Sequence, residues 1–467
     1  MDLLNSVGLA WGNFSPTTRI FLAISVLAIL ALLGDVLYNL YFCPLASFPG
    51  PRLCAISRIP HLIATVRGKQ VPWYIKLHNK YGGVVRIAPD ILTFTDERAW
   101  NDICGSTKYA QYGMIKDPSL ASMIGGDLTN PDPAKPRRQQ AHTVMRRAML
   151  SALKGANVRK LEGMIDGHVQ EYLAALESNS SIHGAVDICD MSSFLMGNLF
   201  FDLFLGESLD LFKKDTFHPW IHSFDRFSRG VTILAVLNRF PMLHAPLLYA
   251  VKRWGGKERD SFMQPILSRF DRRVAMTTPR DDMLEMVLDG DNKQNTMPLD
   301  LLREFSPFLL LGGCDPMPSV IAAFVYFVFR DQNTAIRQRL LKEIRGNFKS
   351  EQDITMDRLS KSSTELPYFE ACLQESFRCY SPGATGTDRV VPGSGARVAD
   401  RDVPGGTVVI MLHQPSYSLD EHFARPNEFI PERWLSEDAG RPKEFEHDRR
   451  SCVHPFSVGP QACFGQE

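Results

Sequence analysis

The sequence predicts a mainly α-helical protein with a minor β region, preceded by one N-terminal transmembrane helix. Helical periodicity dominates from about residue 137 to 350, and short strand patterns occur before and after that block. Residues 20–42 are strongly apolar, whereas the chain as a whole has an ordinary globular composition, with 44% hydrophobic and 22% charged residues. No shift in composition marks a second domain, so the 467 residues indicate an anchor followed by one large domain.

The N-terminal apolar stretch is long enough to span a bilayer. A span needs about 20 residues, and residues 20–34 are apolar apart from Ser25. A cleaved signal peptide would have a shorter apolar region, and a buried core helix is the remaining alternative. Aromatic residues at 38, 41 and 42 suit the membrane interface, and the arginines that follow predict that the body lies on the cytoplasmic side. We therefore expect residues 1–42 to be a membrane anchor.

The segments after the anchor follow a simple order. Residues 43–53 contain three prolines, which predicts a stiff hinge, although an ordinary proline-rich loop has the same composition. The stretches VVRIA and ILTFT, separated by Pro89 and Asp90, predict two short paired strands. Long helical stretches follow at 185–212 and 299–331, and a strand-and-turn section returns at 389–412.

Charge and cysteine content exclude several classes of protein. Lys+Arg and Asp+Glu are both 52, so the formal charge is zero, and we expect no general nucleic-acid binding. The nine cysteines include no C-x-x-C pair, which argues against zinc ribbons and dithiol redox sites. Scattered unpaired cysteines are typical of a reducing compartment.

The stretch FSVGPQACFG, residues 456–465, places one cysteine in a loop suited to a metal–thiolate bond. Gly459 and Gly465 permit a tight turn whose backbone N–H groups point at the sulfur of Cys463, as in proteins that tune an iron–sulfur bond. Phe456 has the position to pack beside that bond. The alternative is a buried free cysteine, which behaves as a small apolar residue.

This loop resembles the cysteine loop of the cytochrome P-450 superfamily, and two further motifs support the likeness. ESFR at 375–378 resembles that family's Glu-x-x-Arg, and FIPERW at 429–434 its Pro-Glu-Arg-Trp segment. Glu375 and Arg378 share one helical face, so Arg433 can close a buried triad with them; a surface ion pair is the alternative. The resemblance implies the P-450 fold over 54–467, without the family's C-terminal segment. It also implies heme b, with Cys463 as the axial ligand of the iron.

The resemblance also implies which residues hold the haem propionates. AHTVMRR, 141–147, matches the family's His-x-x-x-Arg helix, which implies that His142 and Arg146 bind the propionates. TDRVVP, 387–392, resembles a family strand and implies the same role for Arg389. Solvated basic residues are the alternative. The family usually has a basic residue two positions before the cysteine, where this chain has Gln461. Gln461 can donate a hydrogen bond but carries no charge, so we expect a weaker electrostatic contribution to haem binding.

LLLGGCDPMP, 309–318, resembles the helix that crosses the oxygen-binding face of the haem. The resemblance implies that Gly312 and Gly313 leave room for dioxygen and that Asp315 relays protons. The family's threonine is replaced by Pro316, which removes a hydroxyl and an N–H and predicts a kink.

Three functions are consistent with these observations. The first is a monooxygenase at the endoplasmic reticulum membrane, which inserts one oxygen atom from O2 into a hydrophobic terpenoid or polyketide using NADPH and a reductase. The second is an isomerase or dehydratase of the same fold, which loss of the threonine favours. The third is a truncated, non-catalytic remnant, which the short tail after Cys463 favours.

Overall fold

The computed structural model describes residues 15–105, 114–117, 136–213, 219–240, 256–289 and 297–466, with a few single positions between 242 and 253. It is mainly helical with two small sheets, as the sequence predicts. The N-terminal helices are α1 Pro16–Leu37, α2 Arg52–Ile56, α3 Ile59–Val66 and α4 Gln70–Tyr81.

Helix α1 stands apart from the body. Ser15 caps it by accepting the N–H of Thr18, and a π-helical turn, Tyr38–Phe42, continues it. The most apolar 18-residue window of Pro16–Phe42 has a mean hydropathy of 2.7 and none of it is buried, so the segment can span a membrane. Two other described segments, 188–205 and 299–329, are also long and apolar enough, but they are 61% and 33% buried and belong to the core.

The main sheet joins distant parts of the chain. Its first two strands form the predicted hairpin around Pro89 and Asp90, and the second runs parallel to a strand more than 300 residues later. The strands are β1 Val84–Ala88, β2 Ile91–Phe94, β3 Ile115–Lys116, β4 Asp388–Val390 and β7 Val408–Met411, in the order β1-β2-β7-β4-β3. A separate hairpin consists of β5 Ala396–Val398 and β6 Arg401–Val403. The sheet therefore places β3, from the first third of the chain, against β4.

The helical block forms the largest hydrophobic core. Its helices are α5 Pro136–Ala152, α6 Gly155–His183, α7 Ile188–Leu205, α8 Pro219–Asn238, α9 Gly256–Ala275, α10 Met283–Asp289, α11 Leu299–Cys314, α12 Pro316–Phe329 and α13 Thr334–Asn347. Apolar residues of α5, α7, α9 and α11 meet in one cluster. The predicted kink is a break: α11 ends at Cys314, Asp315 lies outside both helices, and Pro316 begins α12.

A loop-rich region follows the helical block. The short helices α14 Met356–Leu359 and α15 Ser362–Glu365 lead into α16 Pro367–Cys379, and α17 His413–Tyr417 follows β7. From Ser418 to Gln466 the described chain has only short 3-10 turns. Such a region lacks the regular backbone hydrogen bonds of helices and sheets. Its buried backbone groups therefore need hydrogen bonds from side chains and from other loops.

Candidate functional site

The loop around Cys463 exposes the thiol at a tight turn. The N–H of Cys463 donates to the carbonyl of Phe456 at 2.8 Å. Gly459 has φ +78°, and a Cβ there would lie 2.4 Å from the carbonyl oxygen of Cys104, so only glycine is accommodated. A Cβ at Gly465 would lie 3.7 Å from the Cys463 sulfur. The two glycines thus let neighbouring backbone approach the loop and leave one side of the sulfur open.

Two contacts hold this loop against neighbouring helices. The Phe456 ring packs edge-on against Phe377 of α16, with 5.5 Å between ring centroids. Arg146 of α5 donates to the carbonyl of Ala462 at 2.6 Å, immediately before Cys463. The loop therefore lies between α16 and α5. The predicted propionate ligand Arg146 contacts the residue that precedes the cysteine.

Cysteines elsewhere are less suited to hold a negative charge. Burial raises the pKa of Cys54 to about 11 and that of Cys452 to about 12, which keeps these thiols protonated. Cys189, the other exposed cysteine, has its pKa raised by burial and by Asp187. Cys463 lies at an exposed turn, and the cations described next lie beside its loop.

Basic side chains converge beside the loop from three parts of the chain. Lys116 of β3 lies directly opposite Arg389 of β4 in the antiparallel register. Arg389 is 2% exposed and donates to the carbonyl of Met114 at 2.8 Å, while its Nε is buried without a hydrogen-bond partner in the described structure. Gln461 donates to the same carbonyl at 3.4 Å. Lys116 could not be predicted from the sequence, because a two-residue strand has no periodic pattern to reveal it.

The cations of this cluster disfavour one another's charge. Burial, and then Arg389, lower the pKa of Lys116 to about 8, while Cys104 and Cys463 act in the opposite direction. Burial, followed by Lys116 and Arg146, lowers the pKa of His142 to about 4. Like charges directly opposite in a sheet are destabilising, so this arrangement favours an anion. Arg146 donates to Ala462 of the loop, and Gln461 of the loop shares the Met114 carbonyl with Arg389, so the basic side chains contact the loop that carries the thiol.

The basic side chains beside Cys463 suit a ligand that carries carboxylates, as the haem propionates would. Among the described residues no carboxylate pairs with Arg146 or Arg389, although both lie in or beside the core. Buried cations are costly unless they are paired, and guanidinium–carboxylate bonds are among the strongest hydrogen bonds in proteins. The residues present therefore fit the haem that the resemblance implies: the basic side chains could hold its propionates, and the Cys463 sulfur could hold its iron.

The helix break carries the residues predicted for the oxygen-binding face. A Cβ at Gly312 would meet nothing within 4 Å, so this glycine leaves open space. Gly313 differs from the expectation, because a Cβ there would lie 2.2 Å from the Phe200 ring of α7. Its missing side chain thus allows α7 and α11 to pack closely. Asp315 is exposed at the break, and its carbonyl accepts the Ser319 hydroxyl at 3.3 Å.

The structure brings Glu375, Arg378 and Arg433 into one fully buried cluster. Glu375 accepts two hydrogen bonds from Arg378, at 2.8 and 2.9 Å, and one from Arg433 at 3.1 Å. Asp448 also pairs with Arg433, and the Trp434 indole donates to Glu375 at 2.8 Å. Arg378 additionally donates to three backbone carbonyls of the loop-rich region. Burial acts against its charge, but Glu375 raises the pKa of Arg378 above its usual range.

Comparisons with known proteins agree with the motifs. The family described as Cytochrome P-450 matches residues 49–467. The cytochrome P-450 monooxygenase astJ of Aspergillus oryzae is 30% identical over 440 residues, covering 93% of this chain and 85% of that protein. Averantin hydroxylase of Dothistroma septosporum is 29% identical over 435 residues, covering 93% of this chain and 79% of that protein. The crystal structure of the cytochrome P450DA haem domain has a TM-score of 0.67 at 16% identity, over 85% of this chain and 82% of that chain, which supports the fold.

Proposed function

The chain belongs to the cytochrome P-450 family, an oxidoreductase family, and from that premise we propose that it is a membrane-anchored haem-thiolate monooxygenase. It inserts one oxygen atom from O2 into a hydrophobic small molecule. The observation that carries this proposal is the convergence of Lys116, Arg146 and Arg389 beside the exposed thiol of Cys463. Bound heme b supplies the oxygen chemistry, with electrons from NADPH through a cytochrome P-450 reductase.

Each residue of the site has a part in this proposal. Cys463 would hold the haem iron through its sulfur, and Phe456, Gly459 and Gly465 hold its loop. His142, Arg146 and Arg389 bind the propionates, to which we add Lys116. Gly312 leaves space on the opposite face, and Asp315 moves protons there from the helix break. Glu375, Arg378 and Arg433 position the loop-rich region that contains Cys463.

The substrate class and location follow from the relatives and from α1. Similar proteins include fungal monooxygenases and averantin hydroxylase, so we propose a terpenoid or polyketide secondary metabolite as the substrate. Residues 1–42 anchor the chain once in the endoplasmic reticulum membrane, 43–53 form the hinge, and the haem domain that follows faces the cytoplasm. The exposed apolar surface of α1 and the arginines after it support this topology.

Spectroscopy of the expressed full chain tests the proposal. The reduced, carbon-monoxide-treated protein should give the Soret band typical of thiolate-ligated haem, and microsomes that contain it and a reductase should oxidise NADPH with a hydrophobic substrate. A chain that takes up no haem would contradict the haem site. A thiolate band without NADPH oxidation under any substrate would contradict the monooxygenase while leaving the haem site intact.

The break between α11 and α12 favours a second candidate, an isomerase or dehydratase of the same fold. Pro316 provides no hydroxyl at the position where the family has threonine, and Asp315 lies outside the helix. Such an enzyme needs no activation of O2. Turnover of a peroxide substrate without NADPH or reductase would favour this candidate over the monooxygenase.

A further inference from the structure

A cavity of about 180 Å³ lies where the membrane helix meets the body of the protein. Leu40 and Tyr41 of the π-helical turn line one side, and Gly50, Arg52 and Arg86 line the other. Of the described residues that line it, Arg52 and Arg86 alone are charged. Asp35, one turn before Asn39, is not among the residues that line it. The cavity therefore presents two positive charges and no negative one.

Arg86 is a buried guanidinium that ties this junction together. It lies in β1, is 2% exposed, and donates to the Asn39 carbonyl at 2.8 Å and the Pro89 carbonyl at 2.7 Å. The first of these carbonyls is at the end of the membrane helix, where a cation is favoured. Its Nε is buried without a hydrogen-bond partner in the described structure. One donor thus remains for an acceptor that the neighbouring chain does not supply.

Within the described part of the chain, no carboxylate pairs with either arginine of the cavity. Asp90, the acid nearest to Arg86 in sequence, pairs with Arg58 at 2.7 Å. Burial lowers the pKa of Arg86, and the partial opposition from Cys43 and Asp90 does not restore it. A buried cation bonded to neutral carbonyls is costly, and an anion would offset that cost.

The position of the cavity identifies the anion. The exposed aromatic residues Tyr38, Tyr41 and Phe42 follow the apolar helix directly, at the level where a bilayer places its phosphates. We propose that this cavity binds the phosphate of an anionic phospholipid headgroup, with Arg86 and Arg52 donating to its oxygens and the Tyr41 hydroxyl beside them. Arg86 would then connect the lipid, the end of the membrane helix and β1, so that bound lipid fixes the tilt of the body on the membrane. This inference depends on α1 lying in the bilayer and not on the proposed catalytic function.

Native mass spectrometry of the detergent-solubilised full chain tests the proposal, with phosphatidic acid and phosphatidylcholine as probes. We expect one retained phosphatidic acid per chain and a raised melting temperature. Arg52→Gln, at an exposed position, should lower retention at least roughly ten-fold, because one charge-assisted hydrogen bond is lost. Arg86→Gln should lower it further. Arg67→Gln is the matched control, since it removes another exposed arginine that does not line the cavity.

Each other outcome overturns the proposal. Equal retention by wild type and Arg52→Gln, or equal losses in Arg52→Gln and Arg67→Gln, would show only general charge attraction. Stabilisation by inorganic phosphate as strong as that by phosphatidic acid would overturn the lipid assignment. Should Arg86→Gln fail to fold, the comparison of Arg52→Gln with Arg67→Gln still decides.

Discussion

Two buried clusters of charge in this protein are built on opposite plans. The cluster of Glu375, Arg378, Arg433 and Asp448 is closed, because carboxylates and backbone carbonyls accept from its guanidinium groups. The cluster of Lys116, His142, Arg146 and Arg389 is open: burial and neighbouring cations disfavour the charged forms of Lys116 and His142, and no described carboxylate pairs with Arg146 or Arg389. Both clusters contain residues of family-like motifs, but acceptors within the chain complete the first, whereas the second would accept an added anion.

The difference indicates that the closed cluster stabilises the fold and that the open cluster serves cofactor binding. A buried ion pair contributes little net stability compared with an apolar core, but removing one partner leaves a costly unpaired charge. The closed cluster should therefore be sensitive in folding assays. The open cluster carries a cost in the haem-free chain that binding recovers, so its substitutions should appear in haem affinity rather than in folding.

The largest expected effect is at Cys463, the proposed iron ligand beside the open cluster. Cys463→Ala should abolish the thiolate spectrum completely while leaving the protein attached to membranes through α1. Cys189→Ala, which removes the other exposed thiol, is the control and should leave the spectrum unchanged. A thiolate band that survived in Cys463→Ala would identify another cysteine as the ligand and remove the basis of the comparison.

The closed cluster predicts the next largest effect, on folding. Glu375→Ala leaves two buried guanidinium groups without their shared carboxylate, which costs about 3–5 kcal/mol. That is a large part of the roughly 5–15 kcal/mol that stabilises a typical domain. Glu428→Ala, which breaks the exposed pair with Arg425, should lower the unfolding temperature much less than Glu375→Ala, because solvent screens exposed pairs. Equal thermal unfolding of the two variants would show that the cluster is not structurally closed.

Arg389→Gln tests the open cluster directly. Loss of one charge-assisted bond to a propionate costs about 1.5–3 kcal/mol, so haem should dissociate roughly ten-fold or more faster. The haem-free chain should lose no stability, since a repulsive neighbour of Lys116 is removed. Transfer of haem to apomyoglobin measures the first effect and thermal unfolding the second. Arg397→Gln, on the exposed face of β5, is the control, and identical haem loss in both variants would refute the assignment.

The helix break provides a test on the opposite face of the site. Pro316→Thr restores a hydroxyl and an N–H where α12 begins, so product formed per NADPH oxidised should rise by up to about ten-fold. Pro318 remains in the next turn and limits the gain. Unchanged coupling, with little peroxide released by the wild type, would favour the isomerase or dehydratase instead.

The smallest expected effect is a pH dependence of haem binding. In the haem-free fold the pKa of Lys116 is about 8, below its ordinary value of 10.5, and a propionate would raise it again. Bound haem therefore holds a proton that the haem-free chain releases, so affinity is greatest below pH 8 and falls as pH rises through 8. In the unfolded chain Lys116 has its ordinary pKa of 10.5 and keeps its proton longer, so the free energy of unfolding of the haem-free fold rises between pH 8 and 10.5. Lys116→Arg should remove both steps, and an unchanged titration would exclude Lys116 from the site.

Local patterns in the sequence determined the elements and most of the motif residues. Helical periodicity predicted the central block, the Pro89–Asp90 turn predicted the first hairpin, and Pro316 predicted an interruption of α11. Each of these depends on backbone preferences and on contacts within a few residues, which a sequence displays directly. The motif around Cys463 belongs to the same class, because its glycines and its turn lie within ten residues.

Tertiary structure alone decided which of these elements meet. Three segments had the length and hydropathy of a membrane span, and only burial separated α1 from the two core segments. Lys116 became a candidate ligand because the sheet register sets it opposite Arg389, 273 residues later. Gly313 proved to contact Phe200, and Arg86 the end of the membrane helix. Such pairings arise when the hydrophobic effect packs distant segments together, and that effect acts on buried area without regard to separation along the chain.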